Sequence, residues 1–475
     1  MNIGNVLGTK PYIRVGGNTQ DYALYNASLS ASLNGTYDVS RSPDYPTTIH
    51  IGSSYFESYS TWPGVKFSHG FNLGLGGNRS EGWQTLLDTV PLVCKTLGLE
   101  KLYAWQYGNE PDLYSTSSQG PVRPPSWNET TYVEQWLNGT RKIKELLQTH
   151  CPEVVSSNRY EYIAPAFAGV NNHLKAPIAW KDGLDEDGNI GLFSSHNYIS
   201  GATSPGVTLQ GTLMNHSRTM QSVNAHVDEF KKIFPSGDLN TASPRLILGE
   251  TNSLYNQGKP GLSNTFGAAL WGVDFALYCA SVGIGRVHYH MGTNYRYASW
   301  QPVDTDKAVK GTKAPYYGNM AVAAMIGNAT DQPVSIAHVP IAGGDEREAV
   351  YAAYVGDSLS RIMVINFVGY NTTVNGTGLG LAGNPVAGRK SRRYTFEVGP
   401  SVRKVSVQRL MANGSDAITG VTWDGYSFNY ELEQGDPVLL TNVTRGEVLQ
   451  TTAGRVSIDV LDSSAVMLSM SGGDS

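Results

Sequence analysis

Two stretches of this sequence place a carboxylate directly after a short apolar run, and the first is Leu102–Asp112. Leu102–Tyr107 is apolar and aromatic, which is typical of a buried strand, and Gly108 then allows the backbone to turn. Asn109 and Glu110 follow, at the position where parallel α/β barrels carry catalytic groups. A single glutamate after a strand usually just begins a loop, so Glu110 alone would not indicate chemistry.

The second stretch, Arg245–Glu250, has the same design and is followed by the polar residues Thr251–Ser253. Two strands that each end in a glutamate suggest a facing pair of carboxylates. Glycoside hydrolysis needs such a pair, because one carboxylic acid protonates the leaving oxygen while the other acts as nucleophile or base. The sequence therefore predicts that Glu110 and Glu250 share one site.

Strands and helices alternate over the first two thirds of the chain, which predicts a parallel sheet with right-handed crossovers. Apolar runs predict seven barrel strands, at Pro11–Val15, Val65–Phe71, Leu102–Tyr107, Tyr160–Phe167, Leu192–Asn197, Arg245–Glu250 and Arg286–His290. Helical periodicity is clearest at Trp83–Leu97, Thr131–Thr149, Thr219–Phe234 and Thr265–Val282. The pattern indicates a (β/α)8 TIM-type barrel in which Glu110 and Glu250 follow strands three apart, so that they face each other across the mouth.

Seven strands are one fewer than such a barrel normally closes with. Thr48–Ile51 could supply the eighth, but its Ser/Tyr/Pro-rich surroundings favour a short hairpin in an insertion. We therefore expect the first barrel strand to lie upstream of Met1. The same upstream part would carry a signal peptide, since none follows Met1, and a strand of the second domain.

The period of the apolar residues changes to two after the helix that ends near Ile326. This predicts a barrel domain at residues 1–328 and an antiparallel β-sandwich at residues 329–475, the latter interpreted as a support module. Its predicted strands include Ala349–Tyr354, Arg361–Phe367, Ser391–Val398, Val402–Met411, Arg455–Val460 and Ala465–Met470.

Composition excludes several classes of protein. Charged residues make up 16% of the 475 residues and the net charge is −5, which favours neither nucleic acid nor an anionic membrane as a partner. We find no apolar run of the roughly 18 residues that a membrane span needs. Metal-ligand spacing is not evident, and Gly74–Gly77 does not have the lysine of a phosphate-binding loop. We expect a monomer without a cofactor.

Asn-x-Ser/Thr sequons are frequent and predict a secreted glycoprotein. They lie at Asn26, Asn34, Asn78, Asn128, Asn138, Asn215, Asn328, Asn371, Asn375, Asn413 and Asn442. The 3 cysteines allow at most one disulfide. Cys94 and Cys151 end helical stretches that flank the Glu110 strand and are the favoured pair, which leaves Cys279 as a buried thiol.

Trp105–Pro111 and Leu248–Ser253 resemble the acid/base and nucleophile stretches of retaining glycosidases of the large (β/α)8 clan. Ile13–Asp21, Glu250–Pro260 and Gly292–Tyr295 narrow the resemblance to glycoside hydrolase family 79, the heparanase and β-glucuronidase family, with its secreted fungal β-glucuronidases. The resemblance covers nearly the whole chain. It implies retaining, exo-acting removal of β-linked glucuronic acid, or of its 4-O-methyl form, from glycans or glycosides.

The resemblance also implies roles for individual residues. Glu110 would be the acid/base, Glu250 the nucleophile, and Asn109 a partner of the sugar 2-hydroxyl. His196 would lie beside Glu250, whose carboxylate Tyr198 would orient.

The sugar carboxylate would be received by Tyr255, Tyr295 and backbone amides near Gln257 and Gly258. One departure concerns Asn256 and Gln257, which separate Tyr255 from Gly258 where animal heparanases have a glycine run. The extra bulk or amide donors there favour an exo-acting over an endo-acting enzyme.

Two alternative functions remain open from the sequence. One is another exo-glycosidase of the same clan, such as an arabinofuranosidase, and the other is an inactive, truncated carbohydrate-binding relative. Structural roles are favoured for His288 and His290 as core histidines. Arg14 is expected to form a buried pair with a carboxylate, for which Asp21 is the candidate.

Overall fold

The computed structural model describes residues 2–117, 120–157, 159–235, 238–328, 330, 332–382, 388–441, 443 and 445–470. The sequon at Asn442 and the predicted domain ends at Met1, residue 329 and residues 471–475 lie outside these ranges. Among the described residues, no helix is long and apolar enough to cross a membrane.

All seven predicted barrel strands are present and form one parallel sheet in chain order. They are β1 (Ile13–Val15), β2 (Phe67–Phe71), β3 (Leu102–Tyr107), β4 (Tyr162–Phe167), β5 (Ile190–Gly201), β6 (Arg245–Tyr255) and β7 (Val287–Tyr289). The four predicted crossover helices span Ser80–Lys101, Glu129–His150, His216–Ile233 and Phe266–Ser281. The barrel architecture is therefore confirmed, with seven strands in the described chain.

The two edge strands of this sheet, β1 and β7, are not paired with each other in the described part of the chain. The sheet nevertheless curls until the starts of these strands are close. The Arg286 guanidinium, just before β7, lies 3.8 Å from the ring centroid of Tyr12, just before β1. The Arg286 Nε also donates to the Tyr103 hydroxyl at 3.1 Å. A cation–π contact and a hydrogen bond therefore cover the gap between the two edge strands at their amino ends.

Strands β5 and β6 are longer than the sequence predicted, at 12 and 11 residues. The predictions stopped at Asn197 and Glu250 because polar residues follow there. In the structure the two strands stay paired as far as Gly201 and Tyr255 and extend beyond the ring. The polar residues that seemed to end the strands are buried in the site, so their polarity reflects chemistry and not a strand end.

The connection between β1 and β2 is an insertion with its own sheet. Thr48–Ile51 pairs antiparallel with Leu33–Thr36 and parallel with Ala23–Tyr25. The interpretation of Thr48–Ile51 as part of a hairpin, and not as an eighth barrel strand, is confirmed. The insertion covers one side of the barrel mouth.

The second domain is built from antiparallel strands, as the period of two predicted. Its large sheet contains nine strands, at Val334–His338, Glu348–Val355, Ser358–Asn366, Lys404–Met411, Thr422–Trp423, Tyr426–Ser427, Val438–Leu439, Glu447–Gln450 and Ser464–Met470. A ribbon of Ser391–Glu397 and Arg455–Leu461 packs against it through an apolar cluster that includes Val364, Ile458 and Leu468. The domain boundary after residue 328 stays a prediction.

The helices Phe266–Ser281 and Pro315–Ile326 lie between the barrel and the second domain, and Asn2–Leu7 packs on the latter helix. Fourteen consecutive residues of the first, Phe266–Cys279, are buried, because it is covered on one side by the barrel and on the other by the large sheet. Shorter helices lie at Pro152–Val155, Ala176–Lys181 and Tyr430–Glu433.

A disulfide joins Cys94 and Cys151, the pairing that the sequence favoured. It connects the crossover helices that precede and follow β3, the strand that leads to Glu110. Cys279 is a buried free thiol, also as predicted.

Candidate active site

The two glutamates meet at the carboxyl ends of β3 and β6. Glu110 has a left-handed backbone, with φ 49° and ψ 49°, an uncommon conformation for a residue other than glycine. Its amide donates to the carbonyl of Ala166 at 3.0 Å, so the end of β4 holds it. One carboxylate oxygen of Glu110 lies within 4.8 Å of one of Glu250. Retaining glycosidases have carboxyl groups ~5–5.5 Å apart and inverting ones ~6.5–9.5 Å, so this close approach of the oxygens favours a retaining pair.

Arg14, in β1, connects both catalytic strands from inside the barrel. Its guanidinium lies 3.0 Å from Glu250 Oε2 and donates to Asn109 Oδ1 and Gln106 Oε1, both at 2.7 Å. The prediction that Arg14 forms a buried pair with a carboxylate is therefore confirmed, but the partner is Glu250 and not Asp21. Inward-pointing side chains of different strands meet in a barrel, whereas the sequence suggested only a nearby carboxylate.

The other oxygen of Glu250 is held by a tyrosine and a histidine. Tyr198 donates its hydroxyl to Oε1 at 2.7 Å, which is the contact that the resemblance implied. His290 Nδ1 lies 3.1 Å from the same oxygen and 3.1 Å from the hydroxyls of Tyr198 and Tyr297. His290 thus belongs to the site, and its interpretation as a core histidine is wrong.

His196 lies beside both glutamates and hydrogen-bonds the acid/base candidate. It pairs with Glu250 across β5 and β6, so the place beside Glu250 that the resemblance implied is confirmed, and its Nδ1 lies 2.9 Å from Glu110 Oε1. Burial lowers the pKa of His196 to about 3, so the imidazole is neutral at ordinary pH and can share the proton of Glu110. Glu110, His196 and Glu250 have the mutual spacing of metal ligands, but the Arg14 guanidinium beside Glu250 would repel a cation there.

The surroundings of the two glutamates separate their pKa values. Burial has the largest effect on the pKa of Glu110, and the Glu250 carboxylate adds to it, raising the pKa to about 8. Burial also tends to raise the pKa of Glu250, but the charge and hydrogen bond of His290 and the charge of Arg14 act against it, and the pKa lies well below its usual value. A protonated Glu110 and an anionic Glu250 are the states that an acid and a nucleophile require.

Tyr295 and the insertion form the wall of the cavity above this pair. The cavity has a volume of about 900 Å³ and is lined by Glu110, Glu250 and Tyr295, among others. Only 7% of Tyr295 is exposed, and the described residues offer its hydroxyl no hydrogen-bond partner. The ring packs against Gly292, where a Cβ would lie 2.4 Å from it.

Only part of the turn after β6, which was predicted to bind the sugar carboxylate, is free to contact a substrate. Asn256 and Gln257 have left-handed backbones and line the cavity, together with Tyr255. The Gly258 amide donates to the carbonyl of Leu254 at 3.1 Å, so the prediction that Gly258 offers its amide to the substrate is wrong. The hydroxyl of Tyr255, a residue that is 46% exposed, lies 3.3 Å from Ser204 Oγ at the rim.

Comparison with known proteins gives consistent results across the chain. Residues 350–467 match the glycosyl hydrolase family 79 C-terminal beta domain. A Neurospora crassa β-glucuronidase is 62% identical over 94% of this chain and 82% of its own length. A protein of the same name from Aspergillus niger is 54% identical over 99% of this chain and 85% of its own. The chain belongs to glycoside hydrolase family 79.

Solved structures with low identity share the fold of this family 79 hydrolase. A 4-O-α-L-rhamnosyl-β-D-glucuronidase from Fusarium oxysporum 12S aligns with a TM-score of 0.76 and 22% identity, over 99% of this chain and 90% of that one. A family 51 arabinofuranosidase from Xanthomonas axonopodis pv. citri aligns at 0.57 and 14%, over 97% and 87%. These likenesses extend across both domains.

Several site residues of this family 79 chain were missed or misplaced from its sequence. Arg14 and His290 were assigned structural roles, and Tyr297, Tyr45 and Asp44 were not considered. A signal existed for Arg14 and His290, since both are polar residues at the carboxyl ends of barrel strands. No local signal distinguishes Tyr45, which reaches the cavity from the insertion.

We expect kcat/KM to fall as the pH rises through about 8, where Glu110 loses the proton that the leaving group needs. This fall forms the basic limb of the pH profile.

Glu250→Gln should abolish turnover. Glu110→Gln should cost about 10²–10⁴-fold with poor leaving groups and much less with good ones.

The matched control is Glu229→Gln, because Glu229 is a buried glutamate on the outer helix His216–Ile233. It should leave the pH profile unchanged. Steady-state kinetics on aryl glycosides of graded leaving-group pKa measures all three variants. Equal losses in Glu110→Gln on good and poor leaving groups would contradict the assignment of roles.

Proposed function

We propose that this family 79 hydrolase removes terminal β-linked glucuronic acid, or its 4-O-methyl form, with retention of configuration. The observation that carries the proposal is the buried Glu110–Glu250 pair, with oxygens within 4.8 Å of each other, at the floor of a tyrosine-lined cavity. Two relatives that are more than half identical to this chain carry the name β-glucuronidase.

The proposed reaction proceeds in two steps. Glu250 attacks the anomeric carbon while Glu110 protonates the departing oxygen, which leaves a glycosyl ester on Glu250. Glu110, now a carboxylate, then takes a proton from water, and the water opens the ester. Arg14 and Tyr198 hold the two oxygens of Glu250 throughout, so the nucleophile is oriented before the sugar binds.

Recognition of the sugar carboxylate is assigned to neutral donors. Tyr295 presents a hydroxyl in the cavity wall, and the turn at Gln257 presents polar groups beside it. Arg296 is nearby, but its guanidinium already donates to the carbonyls of Gly258 and Asn294 and to Asp44. Hydroxyl and amide donors bind an anion without placing another cation near Glu110, whose pKa must stay high.

The exo-acting mode follows from how one end of the cavity is closed. Asp44, in the insertion, forms ion pairs with Arg296 at 2.9 Å and with Lys307 at 3.4 Å. These contacts tie the insertion to the loops after β7. Together with the turn at Asn256, they narrow this end of the cavity, which favours binding of a terminal sugar there.

A secreted, glycosylated state is a further part of the proposal. The Cys94–Cys151 disulfide fits an oxidising compartment. Nine of the ten sequon asparagines in the described ranges are surface-exposed, and the tenth, Asn215, is half-buried. Attachment of a glycan at the exposed positions needs no rearrangement of the fold.

We expect an aryl β-glucuronide to be hydrolysed far faster than the corresponding arabinofuranoside or glucoside, because the cavity offers donors for a carboxylate. Proton NMR of the first product should show the β-anomer, as retention requires. Turnover of the arabinofuranoside alone, or the α-anomer as first product, would contradict the proposal. Sugar binding without turnover would indicate an inactive binding relative.

Tyr295→Phe should lower kcat/KM for the glucuronide roughly tenfold or more, because a hydrogen bond to a charged group contributes about 1.5–3 kcal/mol. Hydrolysis of the glucoside should change little. Tyr289→Phe is the control, since that hydroxyl bonds to Gly272 on the outer face of the barrel. Equal losses on both substrates would identify Tyr295 as a packing residue.

Protein secreted from a eukaryotic host should lose mass on treatment with an N-glycan amidase. Asn34→Gln and Asn375→Gln should each remove one glycan, because both asparagines are exposed. Intact-mass spectrometry measures the change. An unglycosylated secreted protein would contradict this part of the proposal.

A further inference from the structure

Asp21 is a third carboxylate, which lies behind Glu110 and is not one of the two glutamates proposed to react with the sugar. It ends the short helix Asn18–Asp21 that follows β1, and only 7% of the residue is exposed. A buried carboxylate needs hydrogen-bond donors to offset the loss of water. The Asp21 carboxylate receives such donors from the ends of two neighbouring strands.

Four donors converge on the Asp21 carboxylate. Oδ1 accepts the amides of Leu73 and Gly74, both at 3.0 Å, from the turn after β2. Oδ2 accepts the Asn109 amide at 2.8 Å and the Tyr114 hydroxyl at 2.6 Å, on either side of Glu110 in the sequence. One side chain thus ties together the loops that follow β1, β2 and β3.

The Asn109 contact matters because of the backbone next to it. Glu110 is held in a left-handed conformation that a glutamate does not prefer. Its own amide is fixed by Ala166 on the β4 side, and the preceding amide is fixed by Asp21 on the β1 side. Two consecutive peptide units are therefore anchored from opposite directions, and the direction of the Glu110 side chain depends on both.

We infer that Asp21 is a positioning residue for catalysis, which holds the Asn109–Glu110 backbone so that the Glu110 carboxyl points at the leaving oxygen. The inference rests on the proposed role of Glu110 as acid/base. Nothing in the reaction requires Asp21 to touch the substrate. Its effect on catalysis is transmitted through the backbone amide of Asn109.

Packing around Asp21 supports the inference. A Cβ at Gly74 would lie 2.6 Å from the Asp21 carbonyl oxygen and 2.7 Å from its Cβ, so glycine is needed there for the turn to close over Asp21. The Leu75 amide also donates to the Asp21 carbonyl at 3.0 Å. The position of Asp21 is thus fixed by its backbone as well as by its carboxylate.

The charge of Asp21 has a second, smaller effect. Burial and Glu250 dominate the raised pKa of Glu110, and the nearby Asp21 carboxylate adds to them. Burial raises the pKa of Asp21 itself to about 6, against the lowering effect of Tyr114 and the three amides. Above pH 6 Asp21 is therefore mainly ionised. Other charged or titratable groups around the two carboxyls are Arg14, Tyr45, Tyr107, Asp112, Arg123, Tyr132, His196, Tyr198, His290 and Tyr297.

The test compares Asp21→Asn with the parent enzyme between pH 6 and 9, on glucuronides with poor and good leaving groups. A misdirected acid should cost about 10–100-fold in kcat on the poor leaving group and less than about threefold on the good one. The basic limb should move to lower pH, because a negative charge near Glu110 has been removed. KM should change little.

The control is Asp416→Asn in the second domain, where a buried carboxylate accepts the amides of Thr372 and Thr373 and does not line the sugar cavity. It should lower thermal stability without any leaving-group dependence. If Asp21→Asn proves insoluble, Tyr114→Phe removes one donor and keeps the charge, and it should show the same leaving-group dependence at a few-fold level.

Equal losses on both substrates with an unmoved basic limb would overturn the inference and leave Asp21 a structural residue. A leaving-group dependence in Glu110→Gln but not in either Asp21→Asn or Tyr114→Phe would overturn it as well, while the proposed function stands. If Glu110→Gln shows no such dependence, the proposed function itself fails.

Discussion

Two carboxylates lie within 4.8 Å of each other in a buried site, and this constraint governs the arrangement around them. The two cannot be charged at the same time, because the repulsion between two anions is only weakly screened away from water. His290 and Arg14 together decide which of them ionises. His290 Nδ1 lies 3.1 Å from one Glu250 oxygen and the Arg14 guanidinium 3.0 Å from the other, so the negative charge stays on that residue and the proton stays on Glu110.

Because Arg14 lies in β1, its share in this division comes from the barrel itself. The guanidinium also holds Gln106 and Asn109, so β1, β3 and β6 are joined at one point inside the barrel. These polar side chains inside the barrel therefore orient the two glutamates and also set their charges. A barrel interior filled with apolar side chains would be easier to stabilise but would not keep the two glutamates in different protonation states.

Most of the fold followed from periodicity. Seven barrel strands, four crossover helices and the antiparallel second domain were predicted because each is a run of residues whose burial pattern is local. The lengths of β5 and β6 were not, since Asn197 and Glu250 looked like strand ends although both are buried. Site partners were harder still. Arg14 was assigned to Asp21 but meets Glu250, and the hydrogen bond of His196 to Glu110 was not predicted, because a strand pattern gives the direction of a side chain but not which neighbour it meets across the ring.

The insertion between β1 and β2 was the least predictable part of the site, for a physical reason. The glutamates are confined to strand ends because the reaction fixes their separation, whereas the residues that select a substrate need only reach the cavity. Tyr45 and Asp44 do so from a segment with no barrel periodicity. Asp44 is held by Arg296 and Lys307, which lie after β7, so the insertion is fixed by the loops of the other edge strand as well as by its own sheet. Its contribution to specificity therefore depends on contacts between segments more than 250 residues apart, which no local pattern can show.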